Sequence, residues 1–172
     1  MRLLFNLDTK DYDPNGKAVV RPSVRGIIIR DGKVAMVHSL KYDYYKFPGG
    51  GIESGEEQTE TLIREVAEEA GLQVLPETVR PYGLVHRVQK DDRCGIFVQD
   101  NFYYLCDTAR TPLPQRLDDY EAEERFTLEY VDPLHAIRTN RREDHGPKDK
   151  NMLLREAMVL EMLIEEGYFS KN

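Results

Sequence analysis

The chain has 172 residues, with 24 Lys and Arg against 31 Asp and Glu, for a formal net charge of −7. That length suits one domain, and the acidic balance excludes a general nucleic-acid binder, which needs a basic face against phosphate. Hydrophobic residues at 40% and charged residues at 32% describe a soluble globular chain, and no apolar run approaches the length of a membrane span.

Residues 1–16 predict a short strand from Leu3 to Leu7 and a polar turn at Asp13-Pro14-Asn15-Gly16. The N-terminus has no extended apolar core or small-residue cleavage site, so no secretion signal is expected. Two β-like runs follow, Val24 to Arg30 and Lys33 to His38, joined by Asp31-Gly32. Asp-Gly between such runs predicts a hairpin, because both turn positions need positive φ. Tyr42 to Phe47 leads into Pro48-Gly49-Gly50-Gly51, a strand-to-loop break.

A helix is predicted from Ser54 to about Ala70, with Ser54 and Glu57 as a capping box and Gly71 as the stop. Its apolar stripe is Leu62, Ile63, Val66 and Ala70. Strands are predicted over Thr78–Arg87, Cys94–Cys106 and Glu124–Val131, and one helical turn over Pro133–Ile137. Residues 149–166 read as a terminal amphipathic helix ended by Gly167. Strands on both sides of a central helix, with another helix at the end, predict an α/β (α+β) sandwich around a mixed sheet, one domain over residues 1–172. Cys94 and Cys106 suit a reducing cytoplasm as small packed residues, not a disulfide.

The chemistry concentrates between Gly50 and Leu72. Glu65, Glu68 and Glu69 stand at i, i+3 and i+4 and share one helical face. Three carboxylates that close repel one another unless a cation joins them, and hard oxygen donors suit Mg²⁺ or Mn²⁺, which also bind phosphate. The glycines ahead of the helix allow backbone groups to approach such a metal. A Glu-rich helix is ordinarily a solvated face; here the cluster lies inside a longer pattern. Residues 50–72 satisfy every fixed position of G-x5-E-x7-R-E-U-x-E-E-x-G-U, where U is a bulky aliphatic. These are Gly50, Glu56, Arg64, Glu65, Val66, Glu68, Glu69, Gly71 and Leu72. Chance agreement is on the order of one in a million at this composition.

The segment resembles the signature box of the Nudix hydrolases, and the order of elements over residues 20–170 is similar to that family as well. The resemblance implies a Mg²⁺-dependent (or Mn²⁺-dependent) pyrophosphohydrolase that cleaves the diphosphate of a nucleoside diphosphate derivative. It implies catalytic and metal roles for Glu65, Glu68 and Glu69, a metal-facing carbonyl on Gly50, and a structural pair of Arg64 with Glu56. It also implies a further carboxylate about six residues before Tyr130-Val131, which points to Glu124, with Glu123 and Glu121 nearby. The alternative is an exposed acidic turn.

Tyr45 and Phe47 are candidates for stacking on a substrate base, against ordinary strand packing. Tyr45 stands where many relatives carry tryptophan, and the second hairpin strand ends in His38-Ser39 where some nucleotide-sanitising members carry arginine. Arg138, Arg141, Arg142, Lys148 and Lys150 form a basic stretch that either holds a distal phosphate or is simply solvated. The expected partner is a nucleotide-derived small molecule, not nucleic acid or membrane. A homodimer stays open, since the Leu3–Leu7 strand could pair with a second copy or extend the sheet. The competing function is a non-catalytic nucleotide sensor on the same fold; an isoprenoid-diphosphate isomerase fails because no cysteine and, apart from His38, no histidine stands ahead of the box.

Overall fold

The computed structural model describes residues 1–93 and 95–170. In chain order the elements are β1 (Leu3–Asp8), β2 (Ala18–Val20), β3 (Ser23–Ile27), β4 (Ile29–Arg30), β5 (Lys33–Ser39), β6 (Tyr44–Lys46) and β7 (Gly49–Gly51). Then come α1 (Gln58–Ala70), β8 (Arg80–Asp91), β9 (Gly95–Leu105), α2 (Asp119–Glu123), β10 (Phe126–Val131), α3 (Pro133–Asn140) and α4 (Lys150–Glu165).

The strands form two sheets. One runs β1-β8-β9-β3-β7 with β2 also on β9, and the other runs β10-β5-β4 with β6 also on β5. The first is mixed: β3 and β9 are parallel, whereas β8 and β9 are antiparallel over a long register from Arg80↔Leu105 to Asp91↔Gly95. The predicted run Val24–Arg30 divides at Ile28. Ile27 O accepts from Cys106 N in one sheet (3.1 Å) and Ile28 O accepts from Ala35 N in the other (2.8 Å), so one continuous apolar run serves both sheets. Asp31 at φ 52° and Gly32 at φ 72° close the β4–β5 hairpin as Asp-Gly predicted.

Strand alternation decides the layers. On β5, Val34 and Met36 join a core with α3 and α4 through Ile137, Ala157, Leu160 and Leu163. Ala35 and Val37 face the opposite way, into a core with Leu62, Val66 and Ala70 of α1. Both faces of β5 are therefore buried between helices, the sandwich expected from the element order.

Several boundaries differ from the sequence reading. Helix α1 starts at Gln58, not Ser54: Gly55 is at φ 85°, and Glu56 N bonds Glu53 O at 3.1 Å in a turn that precedes the helix. The capping box is Glu57 with Glu60. A 3₁₀ turn over Pro76–Thr78 delays the next strand to Arg80, and the strand continues to Asp91. The stretch at Glu124 is the end of α2, so β10 begins at Phe126. Helix α3 runs to Asn140, longer than one turn, with Asp132 as its cap. Asp149 caps α4 and Gly167 follows it at φ 81°. The predicted strand at Leu3 extends the sheet, pairing in parallel with β8 from Leu3↔Leu84. Cys106 is free and buried, while Cys94 lies outside the described residues. Among the described residues no helix is long and apolar enough to cross a membrane.

Helix α4 also reaches across to the glycine loop through buried polar groups. Glu156 is fully buried and accepts the Phe47 N–H at 3.0 Å, while its other oxygen pairs with Arg155. Arg155 in turn donates to Asn101 Oδ1 at 2.7 Å, which accepts from Ser23 Oγ at 2.8 Å. Removing one member of such a buried charged set leaves the other uncompensated. Glu156→Ala is therefore expected to lower stability by about 3–5 kcal/mol, read as a shift in the urea midpoint, whereas Glu161→Ala on the exposed face of α4 should change it by less than about 1 kcal/mol.

Candidate metal and phosphate site

The loop β6–β7 and helix α1 face each other, and glycine makes their approach close. A Cβ at Gly49, which sits at φ 147°, would overlap the Val24 backbone, so glycine is required there, and at Gly50 the Glu65 carboxylate lies directly against the bare backbone. Glu69 is 1% exposed, accepts the Gly49 N–H at 2.9 Å and forms an ion pair with buried Lys46. Lys46 carried no signal in the sequence. It belongs to the site because β6 leads straight into the glycines and strand alternation turns its side chain toward α1.

Arg64 is the second organiser. Its Nε donates to Glu56 Oε1 at 2.8 Å and its Nη2 to Glu56 Oε2 at 2.9 Å, a bidentate pair that ties the loop to the helix. Its Nη1 also reaches Glu65 Oε1 at 2.7 Å and Glu68 Oε2 at 3.3 Å. The Glu56 pair implied by the resemblance and an i,i+4 pair with Glu68 are thus both made. Hydrogen bonds from Arg64, then from the Glu53 amide, hold the Glu56 carboxyl down at about 2. Burial pushes Glu65 up, against the pull of Arg64.

These groups open on a cavity of ≈ 230 Å³ walled by Glu53, Glu65, Glu68, Glu69, Asp118 and Glu121, with Arg64 and Arg116. Six carboxylates against two guanidinium groups make it strongly electronegative. Among the described residues no three acidic, His or Cys side chains converge closely enough to chelate an ion as they stand, because Arg64 and Lys46 occupy the glutamates. The donor set nevertheless fits a hard divalent cation: every donor is a carboxylate oxygen, and the bare Gly50 backbone lies against one of them.

The further carboxylate is where the sequence reading needs correction. Glu124 is 5% exposed and turned away, accepting from Ser39 Oγ at 3.0 Å and Tyr44 OH at 2.7 Å and pairing with Lys148. Glu121, one turn earlier on α2, reaches the cavity, and burial raises its carboxyl above the ordinary range. Spacing to Tyr130-Val131 could not separate the two, since the short helix α2 decides which carboxylate turns inward. The stacking candidates are also corrected. Tyr45 and Phe47 are 3% and 0% exposed and pack on His38 and Tyr103, so neither offers a face to a base. In the basic stretch, Arg141, Arg142, Lys148 and Lys150 each have a carboxylate partner.

A second cavity of ≈ 530 Å³ adjoins the first, sharing Glu53, Glu65, Asp118 and Glu121, and its far wall carries Arg21, Arg25 and Lys46 beside Gly49 to Gly51. Arg25 donates to Gly49 O at 3.0 Å, yet its buried Nε has no partner. Acidic and basic walls therefore face each other across the glycine loop.

A family model described as "NUDIX domain" matches residues 20–154. The chain belongs to the Nudix family. A protein of Xanthomonas campestris pv. campestris (strain B100) named RNA pyrophosphohydrolase is 39% identical over 136 residues, which are 73% of this chain and 64% of that one. One of the same name from Xylella fastidiosa (strain Temecula1) is 42% identical over 72 residues, 41% of this chain and 35% of that one. The chain thus spans between about a third and just under two thirds of these relatives. Two solved structures share the fold: the E. coli ORF135 protein (TM-score 0.53, 22% identity, covering 83% of this chain and 91% of that one) and a NUDIX hydrolase from Nitrosomonas europaea (TM-score 0.54, 18% identity, 82% and 90%). In this Nudix chain, the box supplies the helix and loop, and α2 places Glu121 on the wall of the same cavity.

The Glu56–Arg64 pair has a pH signature. A carboxyl held below its unfolded value near ~4.3 stabilises the fold above that value, and the contribution is lost as pH falls through it toward about 2. The urea midpoint of the wild type should fall between pH 6 and pH 3 by more than that of Glu56→Gln; parallel curves for the two proteins would count against the latch.

Proposed function

We propose that this Nudix chain is a divalent-metal-dependent pyrophosphohydrolase acting on the diphosphate linkage of a nucleotide derivative. The observation that carries this reading is the six-carboxylate cavity set against an arginine- and lysine-bearing wall across Gly49 to Gly51. Glu65, Glu68, Glu69 and Glu121 would hold Mg²⁺ or Mn²⁺, with the Gly50 backbone alongside. When bound, such an ion neutralises the diphosphate and makes a coordinated water more acidic.

The protein's own groups do the rest. Arg25, anchored through Nη1 on Gly49 O, lines the larger cavity and would set its charge against a phosphate there. Arg21 adds charge at the mouth of the same cavity. Arg64 keeps the helix in register with the loop while a carboxylate oxygen of the glutamate set accepts the proton of the attacking water. Water adds to one phosphorus and the bridging oxygen leaves with the other phosphate.

The relatives named RNA pyrophosphohydrolase favour a phosphorylated RNA end as the nucleotide derivative. The net charge of −7 argues against a general nucleic-acid face, but a terminal nucleotide needs only the local basic wall. The second reading, a nucleotide sensor without turnover, is weakened by the intact set of box carboxylates.

The test is a panel of nucleoside triphosphates, nucleotide sugars, ADP-ribose, dinucleoside polyphosphates and 5′-triphosphorylated oligonucleotides, with Mg²⁺ and with EDTA. Turnover is expected with metal only. Glu68→Gln should lower kcat by roughly 10²-fold or more at unchanged melting temperature. A near-normal rate would remove Glu68 from the site, and ligand binding without turnover of any panel member would establish the sensor.

A further inference from the structure

Beyond the basic wall lies another cavity, ≈ 470 Å³, lined by Arg21, Arg87, Arg93, Gln89, Phe97 and Asp149 among others. It meets the catalytic cavity at Arg21 and Gly51, which line both. Strand pairing explains its position. Arg87 on β8 lies opposite Gln99 on β9, and Ser23 at the start of β3 lies opposite both Asn101 and Gly51, so one sheet face runs from the glycine loop to Arg87.

Arg87 is the unusual group. It is 6% exposed, its Nε has no hydrogen-bond partner, and its Nη2 donates to Asp149 Oδ2 at 3.0 Å. The same oxygen also accepts from Gln89 Nε2 at 2.9 Å, while the buried Gln89 Oε1 is unpartnered. Burial pushes the Arg87 guanidinium down to about 10, and Arg155 and Arg25 add repulsion that Asp149 only partly offsets. The Nε is sealed from the cavity, so an anion there would meet the guanidinium edge that lines it; set near Arg155 and Arg25, this buried charge has Asp149 as its salt-bridge partner among the described residues. Arg93, with its side chain 92% exposed, stands at the rim of the same cavity beside Asp91. Three arginines against two aspartates leave the cavity net positive in a chain of net charge −7.

The geometry points to a second phosphate site in this cavity, centred on Arg87, for a phosphate carried one nucleoside away from the scissile diphosphate. This rests on the pyrophosphohydrolase reading for its place in the reaction, though the anion site stands on Arg87 alone. A substrate whose diphosphate lies over the glycine loop would pass Arg21 and deliver its next phosphate to Arg87 and Arg93. The substrate class is then a nucleotide bearing a phosphate on its 3′ side, either a terminal monoester or the backbone diester of a strand.

Calorimetric titration in EDTA tests this without turnover, using a nucleoside 5′-monophosphate, the matching 3′,5′-bisphosphate and a 5′-phosphorylated dinucleotide. The wild type is expected to bind the bisphosphate about tenfold tighter than the monophosphate, and Arg87→Gln to bind the two equally. If Arg87→Gln fails to fold, Arg93→Gln decides, with the preference expected to fall about threefold. A dinucleotide that binds like the bisphosphate identifies the backbone diester, and one that binds like the monophosphate identifies the terminal monoester. Equal binding of all three by the wild type, or a preference that survives both substitutions, overturns the site. Metal-dependent turnover of the substrate panel above is measured in parallel: no turnover of any member with the preference intact defeats the activity reading alone, and turnover without the preference defeats the second site alone.

Discussion

The buried Glu69 carboxylate is the contact on which the candidate site depends. It joins three segments at once: α1 by its own backbone, the glycine loop through the Gly49 N–H, and β6 through Lys46. A carboxylate at 1% exposure is stable only when its charge and lone pairs are met. The loop must therefore stay within hydrogen-bond reach of the helix, and the other box carboxylates are carried with it. Glu65 is brought against Gly50, and Arg64 is brought to Glu56, by the same docking.

A second layer of buried polar contacts supports the opposite side of the loop. Glu156 takes the Phe47 N–H, and Asn140 clasps the Tyr45 backbone from both sides, accepting its N–H at 2.8 Å and donating to its carbonyl at 2.7 Å. Helices α3 and α4 thus hold the strand that enters Pro48-Gly49-Gly50-Gly51 by its main-chain groups, leaving the Tyr44 and Tyr45 side chains to fill the two cores and Lys46 to meet Glu69. This explains why Tyr45 and Phe47 are core residues: their backbones are clipped so that their rings point into packed layers.

Charge is arranged locally and against the overall balance. The chain is acidic, yet the sheet face behind the loop gathers Arg25, Arg87 and Arg155, all nearly buried. Arg155 is matched by Glu156 and Arg87 in part by Asp149, while no carboxylate is paired with Arg25 among the described residues. Acidic and basic groups are thereby separated onto two walls, a separation suited to a cation on one side and phosphate on the other.

Much of the fold was legible in local chemistry. Asp31-Gly32 requires positive φ, Gly71 ends α1 at φ 65°, and the 3.6-residue spacing of Leu62, Val66 and Ala70 sets the helix face. The box likewise identified Glu65, Glu68, Glu69, Gly50 and the Arg64–Glu56 pair, because their relation is short-range along one loop and one helix. Residues brought in from afar left no comparable trace. Lys46, Arg25, Asn140, Glu156 and Arg87 are ordinary in their sequence neighbourhoods and acquire their roles through strand pairing and helix docking. The choice of Glu121 over Glu124 turned on which way five residues of α2 rotate. The sequence by itself determined the fold class, the hairpin at Asp31-Gly32 and the box helix that carries Glu65, Glu68 and Glu69, since those follow from local backbone and periodicity. Only the tertiary structure decided which distant charges meet them, because burial and pairing exist only once the sheets and helices are packed.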